Sequence, residues 1–300
     1  MNIGIDVGGS HIGLGIVDNN GKIIFKQEKD YLTQERDMSD IVMNTIKTLI
    51  NEITATSSID FKNIENIGIA FPGTVSNGVV VKAENLGIQN LKIVELLTNS
   101  FKCNIKLEND AKCAAIAEKK YGSLKNYDDA LFLIIGTGVG GAVFLNGQLL
   151  KPKRYSGFEV GHMVIEKDGI RCSCGRNGCF ESYASMKRLK EKIKNEFDLP
   201  NSDGKQIREF ILNNKENEKL SLILKNYIEY LSIGICNLIN ILEPEAISIG
   251  GSFAHYKEIF LERLEKKLSE KVELYNKENV PKILIAELKN DAGIIGASMI

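Results

Sequence analysis

The sequence predicts an α/β protein of two interleaved lobes, and three observations carry that expectation. A unit of apolar strand, glycine turn, apolar strand and Asn/Gly turn occurs at residues 2–24 and again at 131–147. Such a duplication marks two related lobes, each presenting one loop to a shared cleft. Around the two copies, short apolar runs of strand length alternate with stretches of helical period, the pattern of α/β layers. The chain has 300 residues, 43% of them hydrophobic, enough to bury two cores.

Composition excludes several classes. With 38 basic and 39 acidic residues the formal net charge is −1, so nothing is in excess to neutralise a phosphate backbone, and no nucleic-acid partner is expected. The opening MNIGIDVGGS lacks the basic start and apolar run of a signal peptide. No later segment stays apolar long enough to span a bilayer, so a cytoplasmic protein without membrane contact is expected. Six cysteines, three of them clustered, suit a reducing compartment better than a disulfide framework.

In order, the chain opens with a strand reaching Asp6, the turn Gly8-Gly9-Ser10, a return strand to Val17, a turn at 18–21 and a strand at 22–26. Glycines at 8 and 9 let the backbone approach a ligand and aim N–H groups at an anion, although the same pair also suits an ordinary hairpin. Asp6 would stand beside that anion and reach it through a bridging Mg²⁺. Residues 40–52 have the spacing of an amphipathic helix. A strand at 64–70 ends at Phe71-Pro72-Gly73, a helix is expected at 93–101, and a strand at 104–108 runs into Asn109-Asp110 and a helix at 112–121.

An Asn-Asp pair between strand and helix reads as an N-cap. The same geometry suits a general base, Asp110, with Asn109 orienting a hydroxyl. In the second copy the strand 131–135 leads to a turn at Gly136-Thr137-Gly138-Val139-Gly140-Gly141 and a return strand at 142–145. No Gly-Lys-Ser/Thr follows, so this is not a Walker loop, and no βαβ context supports a dinucleotide fingerprint.

Residues 159–181, EVGHMVIEKDGIRCSCGRNGCFE, bring together His162, Cys172, Cys174 and Cys179. One imidazole and three thiolates complete a tetrahedral zinc set with no open position, so a structural Zn²⁺ is expected. Glu159 and Glu181 flank it. Helices are expected at 185–197, 205–213 and 220–242, the last ended by Pro244. A strand at 246–249 stops at Gly250-Gly251, where a flat ligand or ribose can come close to the backbone, or where the chain simply turns. The charged helix at 258–271 reads as a solvated face. A strand at 283–286 and an apolar helix at 291–299 close the chain.

Taken together, Asp6-Val7-Gly8-Gly9-Ser10, Pro72-Gly73, Glu108-Asn109-Asp110-Ala111, Gly136 to Gly141, Glu159-Val160-Gly161-His162, the Cys172 to Glu181 run and Gly250-Gly251 resemble the ROK family of sugar kinases and related repressors. The resemblance implies an actin-like (ribonuclease H-like) ATPase fold. Its N-terminal lobe would cover 1–118 with a returning helix at 289–300, and its second lobe 119–288 with the zinc segment 162–179. It implies ATP with Mg²⁺ at Asp6, Gly8, Gly9, Ser10, Thr137, Gly138, Gly250 and Gly251. It makes Asp110 the base and has Gly73, Asn109, Asp110, Glu159, His162 and Glu181 meet the sugar. The implied activity is phosphorylation of the 6-hydroxyl of a hexose, glucose first, by a homodimer. The alternatives are a kinase of N-acetylmannosamine or N-acetylglucosamine and a non-enzymatic sugar-sensing regulator. Repressors of the family carry an added N-terminal DNA-binding region, for which a first strand at Asn2 leaves no room. Three departures stand out: Ser10 for Thr, Ala142 for a third glycine, and Phe158 before Glu159 where a small residue is common.

Overall fold

The computed structural model describes residues 1–31, 36–57, 59–152, 157–271 and 280–300. In chain order the strands are β1 (Asn2–Val7), β2 (His11–Val17), β3 (Ile23–Asp30), β4 (Asn66–Phe71), β5 (Thr74–Ser76), β6 (Val79–Ala83), β7 (Ile88–Leu91), β8 (Asn104–Asn109), β9 (Ala130–Ile135), β10 (Val139–Leu145), β11 (Gln148–Leu149), β12 (Ala246–Gly250) and β13 (Lys282–Ile285). The helices are α1 (Ser39–Thr56), α2 (Ile93–Phe101), α3 (Asp110–Tyr121), α4 (Glu181–Ala184), α5 (Met186–Glu196), α6 (Gly204–Asn213), α7 (Glu218–Leu242), α8 (Lys257–Lys271) and α9 (Ala292–Ala297). The chain divides into two compact units. Unit 1 holds Met1–Lys125, Leu149–Gly157 and Glu287–Ile300, and unit 2 holds Asn126–Gln148 and Phe158–Ala286.

Unit 1 is built on a sheet of order β3-β2-β1-β4-β8. Its β1, β4 and β8 are parallel and β2 and β3 form the antiparallel edge. Strand alternation gives the sheet two faces. Ile3, Ile5, Ile67 and Ile69 share a core with Val42, Ile46, Leu49, Ile50 and Ile53 of α1. Gly4 and Gly68 face the other way, and there the backbone of α9 lies directly on the sheet. A Cβ at Gly4 would run into the Ile294 carbonyl oxygen, and one at Gly68 into that of Ala297. A small second sheet, β5-β6-β7, follows Gly73. Its strands are too short for a periodicity argument, and the available signal is the Asn77-Gly78 turn, where both residues are left-handed.

Unit 2 repeats the strand order as β11-β10-β9-β12-β13, with β9, β12 and β13 parallel. Against the expectation that no segment is apolar for long enough to span a bilayer, α7 is, among the described residues, one helix that is long and apolar enough by length and composition, and much of it is buried inside unit 2. Its buried residues from Leu220 to Ile239 make the centre of the unit 2 core. Gly234 leaves room for the Phe180 ring, which ties the metal segment to that core. α8 is less solvated than its composition predicts: Ile259, Phe260, Leu264 and Leu268 are buried, and its charges pair with neighbours, Glu258 with Arg208 and Lys271 with Glu229.

The second glycine turn is also shorter than the sequence suggests. Residues 139–141 already belong to β10, and Ala142 is fully buried opposite Phe132, so Ala142 has no part in the loop.

Candidate functional site

In unit 1 the expected residues lie at the carboxyl ends of the parallel strands. The turn after β1 is pinned on both sides of Gly8, whose N–H donates to the His11 carbonyl at 2.9 Å and whose carbonyl accepts the Tyr31 hydroxyl. Gly9 is exposed, and an added Cβ there would meet nothing within 4 Å. The fold therefore has no need of glycine at position 9, while a ligand lying on the backbone would.

Asp6, half-buried at the end of β1, has its carboxyl raised from 3.8 to about 7. Burial is the main cause and the charge of Asp110 the second. Burial and the neighbouring carboxylate thus disfavour the charged form of Asp6.

Asn109 links two elements. Its amide donates to the Gly73 carbonyl at 3.1 Å and to Asp110 Oδ1 at 3.0 Å, while its oxygen accepts the Lys112 N–H at 3.2 Å and caps α3. The N-cap and the orienting amide are one side chain. Asp110 Oδ1 also accepts the Ala111 N–H at 2.8 Å, so the helix end holds its rotamer. Gly73 is left-handed, with the Lys82 carbonyl where a Cβ would be. Below this group Glu108, its side chain only 12% exposed, accepts the Asn109 N–H and pairs with Lys151 at 2.6 Å. The sequence does not show this Glu108–Lys151 pair, because 43 residues of chain separate the partners and Lys151 lies outside every motif.

In unit 2 the turn 136–138 is closed by the Gly136 N–H donating to the Gly138 carbonyl at 2.9 Å. The Lys187 N–H, at the start of α5, donates to the Gly136 carbonyl at 3.1 Å. Gly136 has only Ser252 near its missing Cβ, at 3.9 Å, which puts the exposed Thr137 turn next to the chain leaving the left-handed Gly251. Glu181 does something the sequence did not suggest: its Oε2 accepts the Val139 N–H at 3.0 Å, and its carboxylate fills the place of a side chain at Gly138. A side chain at Gly138 would have to displace that carboxylate.

His162, Cys172, Cys174 and Cys179 converge, with all four ligand atoms within 4.8 Å of one another. Cys172 Sγ is 3.7 Å from His162 Nδ1 and Cys174 Sγ is 3.6 Å from Cys179 Sγ. Zn–S bonds of about 2.3 Å at tetrahedral angles place sulfurs about 3.8 Å apart, so the donor set fits one tetrahedral ion. Nδ1 faces the thiols, which leaves Nε2 of His162 for another partner. Left-handed Gly175 and Gly178 make the tight turns, and bridges Val164 to Cys179 and Arg171 to Asn177 close the hairpin. Tyr183 holds it from below, accepting the Ile170 N–H at 2.7 Å, with its ring centroid 4.4 Å from that of Tyr230 and the two rings tilted by 32°. Gly161 lets the turn Val160–His162 press on the Val139 carbonyl, so Glu159, His162 and Glu181 are all braced by the start of β10.

Two α/β units of one strand order, each with a glycine turn between its first two strands, define an actin-like fold. The ROK family model matches residues 2–300, and the chain belongs to the ROK family. It is 28% identical to a glucokinase of Thermotoga maritima, over 99% of this chain and 96% of that protein. It is also 28% identical to a xylose repressor of Caldicellulosiruptor bescii, over 98% of this chain and 76% of the repressor. The crystal structure of a ROK hexokinase from Thermus thermophilus superposes with a TM-score of 0.84 at 25% identity, covering 99% of this chain and 96% of that one.

Proposed function

We propose that the protein is an ATP-dependent sugar kinase that phosphorylates the 6-hydroxyl of a hexose, with glucose the leading substrate. The observation that carries the reading is the hydrogen-bonded set Gly73, Asn109 and Asp110 at the ends of β4 and β8, beside the raised carboxyl of Asp6 on β1. Ligands of open α/β sheets lie at such strand ends. A repressor needs sugar recognition alone; an oriented carboxylate beside an acid suited to a cation is a device for moving a proton and a phosphoryl group.

In this reading Asp110 accepts the proton of the sugar hydroxyl as its oxygen bonds to the γ-phosphorus and the bond to ADP breaks. Asn109 keeps Asp110 in one rotamer and offers hydrogen bonds to a neighbouring hydroxyl. Asp6 would hold Mg²⁺ through water, and the ion neutralises phosphate charge when bound. The open backbone at Gly8, Gly9 and Ser10 and at Thr137 and Gly138 offers N–H groups to phosphate oxygens, and Gly250-Gly251 offers a flat approach to the nucleoside. Glu159, Glu181 and Nε2 of His162 address sugar hydroxyls, with structural Zn²⁺ on His162 Nδ1 and the three thiolates stiffening the segment that carries them. A cytoplasmic homodimer belongs to the same reading. The second reading is an N-acetylmannosamine or N-acetylglucosamine kinase, which would use the same acids.

An ADP-release assay across glucose, mannose, fructose, N-acetylmannosamine and N-acetylglucosamine separates the two. Asp110→Asn should lower kcat by about 10²–10⁴ while sugar binding survives. Near-normal turnover in that variant would remove Asp110 from the role of base. Sugar binding without ADP release from any sugar would favour a regulator.

A further inference from the structure

The segment entering Glu159 is unusual in its backbone. Gly157 and Phe158 are consecutive left-handed residues, at φ 63° and 59°. Glycine adopts that region freely, but in an aromatic residue it is strained, and it persists only where surroundings over-determine it. Here the surroundings are visible. The Phe158 ring packs against the unit 2 core, and a methyl group added at Gly141 would stand only 3.3 Å from Phe158 Cε1. The ring therefore lies on β10, seated where Gly141 has no side chain.

On its other side Glu159 is held as firmly. Its carbonyl accepts the His162 N–H at 3.0 Å, Val160 is buried, and Gly161 abuts the Val139 carbonyl. The Glu159 side chain itself is exposed, and among the described residues no hydrogen bond or ion pair engages its carboxylate. A backbone fixed on both sides with a carboxylate left unengaged is the arrangement of a preorganised acceptor.

We propose that Phe158 is a positioning residue for sugar recognition: its ring, anchored over Gly141, holds the left-handed backbone that aims the Glu159 carboxylate at a sugar hydroxyl. The proposal rests on the sugar-kinase reading above. It assigns the aromatic ring no contact with sugar; the effect passes through Glu159.

The test is a cycle of Phe158→Gly, Glu159→Gln and the double variant, with Phe158→Tyr as the conservative control. Phe158→Gly permits the same φ without the anchor. It should raise the sugar KM about tenfold and leave kcat and the ATP KM within about twofold, whereas Phe158→Tyr should stay near wild type. Because the ring acts through Glu159, the double variant should bind sugar no worse than Glu159→Gln alone. A sugar KM unchanged by Phe158→Gly, an equal rise in the ATP KM, or losses that multiply in the double variant would each overturn the proposal. If Phe158→Gly does not fold, Phe158→Leu takes its place in the same cycle with an expected rise of about threefold. Wild-type protein that neither binds nor phosphorylates any sugar would instead sink the kinase reading, and this inference with it.

Discussion

Replacing Asp6 by Asn should make the protein more stable at alkaline pH while disabling its proposed chemistry. The folded carboxyl titrates at about 7 against an ordinary value of 3.8, because burial disfavours its charge and Asp110 and Glu28 repel it, with Lys26 offsetting part. Below pH 4 the acid is protonated folded or unfolded and contributes nothing. Between about pH 4 and 7 the folded state holds a proton that the unfolded state releases, so stability falls as pH rises; above 7 the loss is complete. At about 1.4 kcal/mol per tenfold change in proton affinity, the gap corresponds to about 4 kcal/mol, and about 2–4 kcal/mol once an amide's own burial cost is allowed. That is a gain of about 5–10 °C in melting at pH 8 for Asp6→Asn, shrinking as pH falls and ending at zero or slightly below near pH 4. The assay is thermal melting of ligand-free wild type and variant from pH 4 to 8. A melting difference that stays constant over that range would refute the reasoning. On the proposed reading Asp6 is kept at a cost in stability for its charge, which a bound Mg²⁺ would relieve.

Other outcomes follow from single contacts. Gly9→Ala should change stability by less than about 1 kcal/mol, since its Cβ meets nothing, yet raise the ATP KM about tenfold; an unchanged KM would deny the turn its ligand. Gly68→Ala drives a methyl group into the Ala297 carbonyl and should cost about 3 kcal/mol, read as a lowered denaturation midpoint, with an unaltered midpoint refuting the seating of α9. Cys174 is exposed, so Cys174→Ala leaves no cavity, and any destabilisation reports the metal. Elemental analysis should find about one zinc per chain in wild type and almost none in the variant, whose melting should no longer respond to chelator; equal zinc in both would remove Cys174 from the ligand set.

Much of the molecule is legible along the chain because its signals are local. The apolar runs at 2–7, 66–71 and 130–135 mark buried strands, Asn109 caps the helix it precedes, and Cys-Ser-Cys-Gly folds back on itself within a few residues. The three-stranded sheet after Gly73 stays hidden because its strands are too short to show a period, and the turn 136–138 looks longer than it is because Gly140 and Gly141 belong to β10, where the Phe132 carbonyl, Leu133 and the Phe158 ring crowd the side-chain position of Gly141. The charged α8 hides its buried stripe for a related reason: four buried apolar residues in fifteen are enough for a core face when α7 supplies the other side.

The order of amino acids by itself showed the α/β class, the glycine turns and the run that brings His162 together with three cysteines, since their signals lie in short stretches of chain, and it suggested the residues of the proposed chemistry. Tertiary structure alone decided how those residues are held. Burial unsettles the charge of Asp6, Glu181 braces the second glycine turn from 42 residues away, Lys151 supports Glu108, and the Phe158 ring on Gly141 fixes the approach to Glu159. Such effects depend on distances through space and on exclusion of water, and neither is encoded in any local stretch of chain.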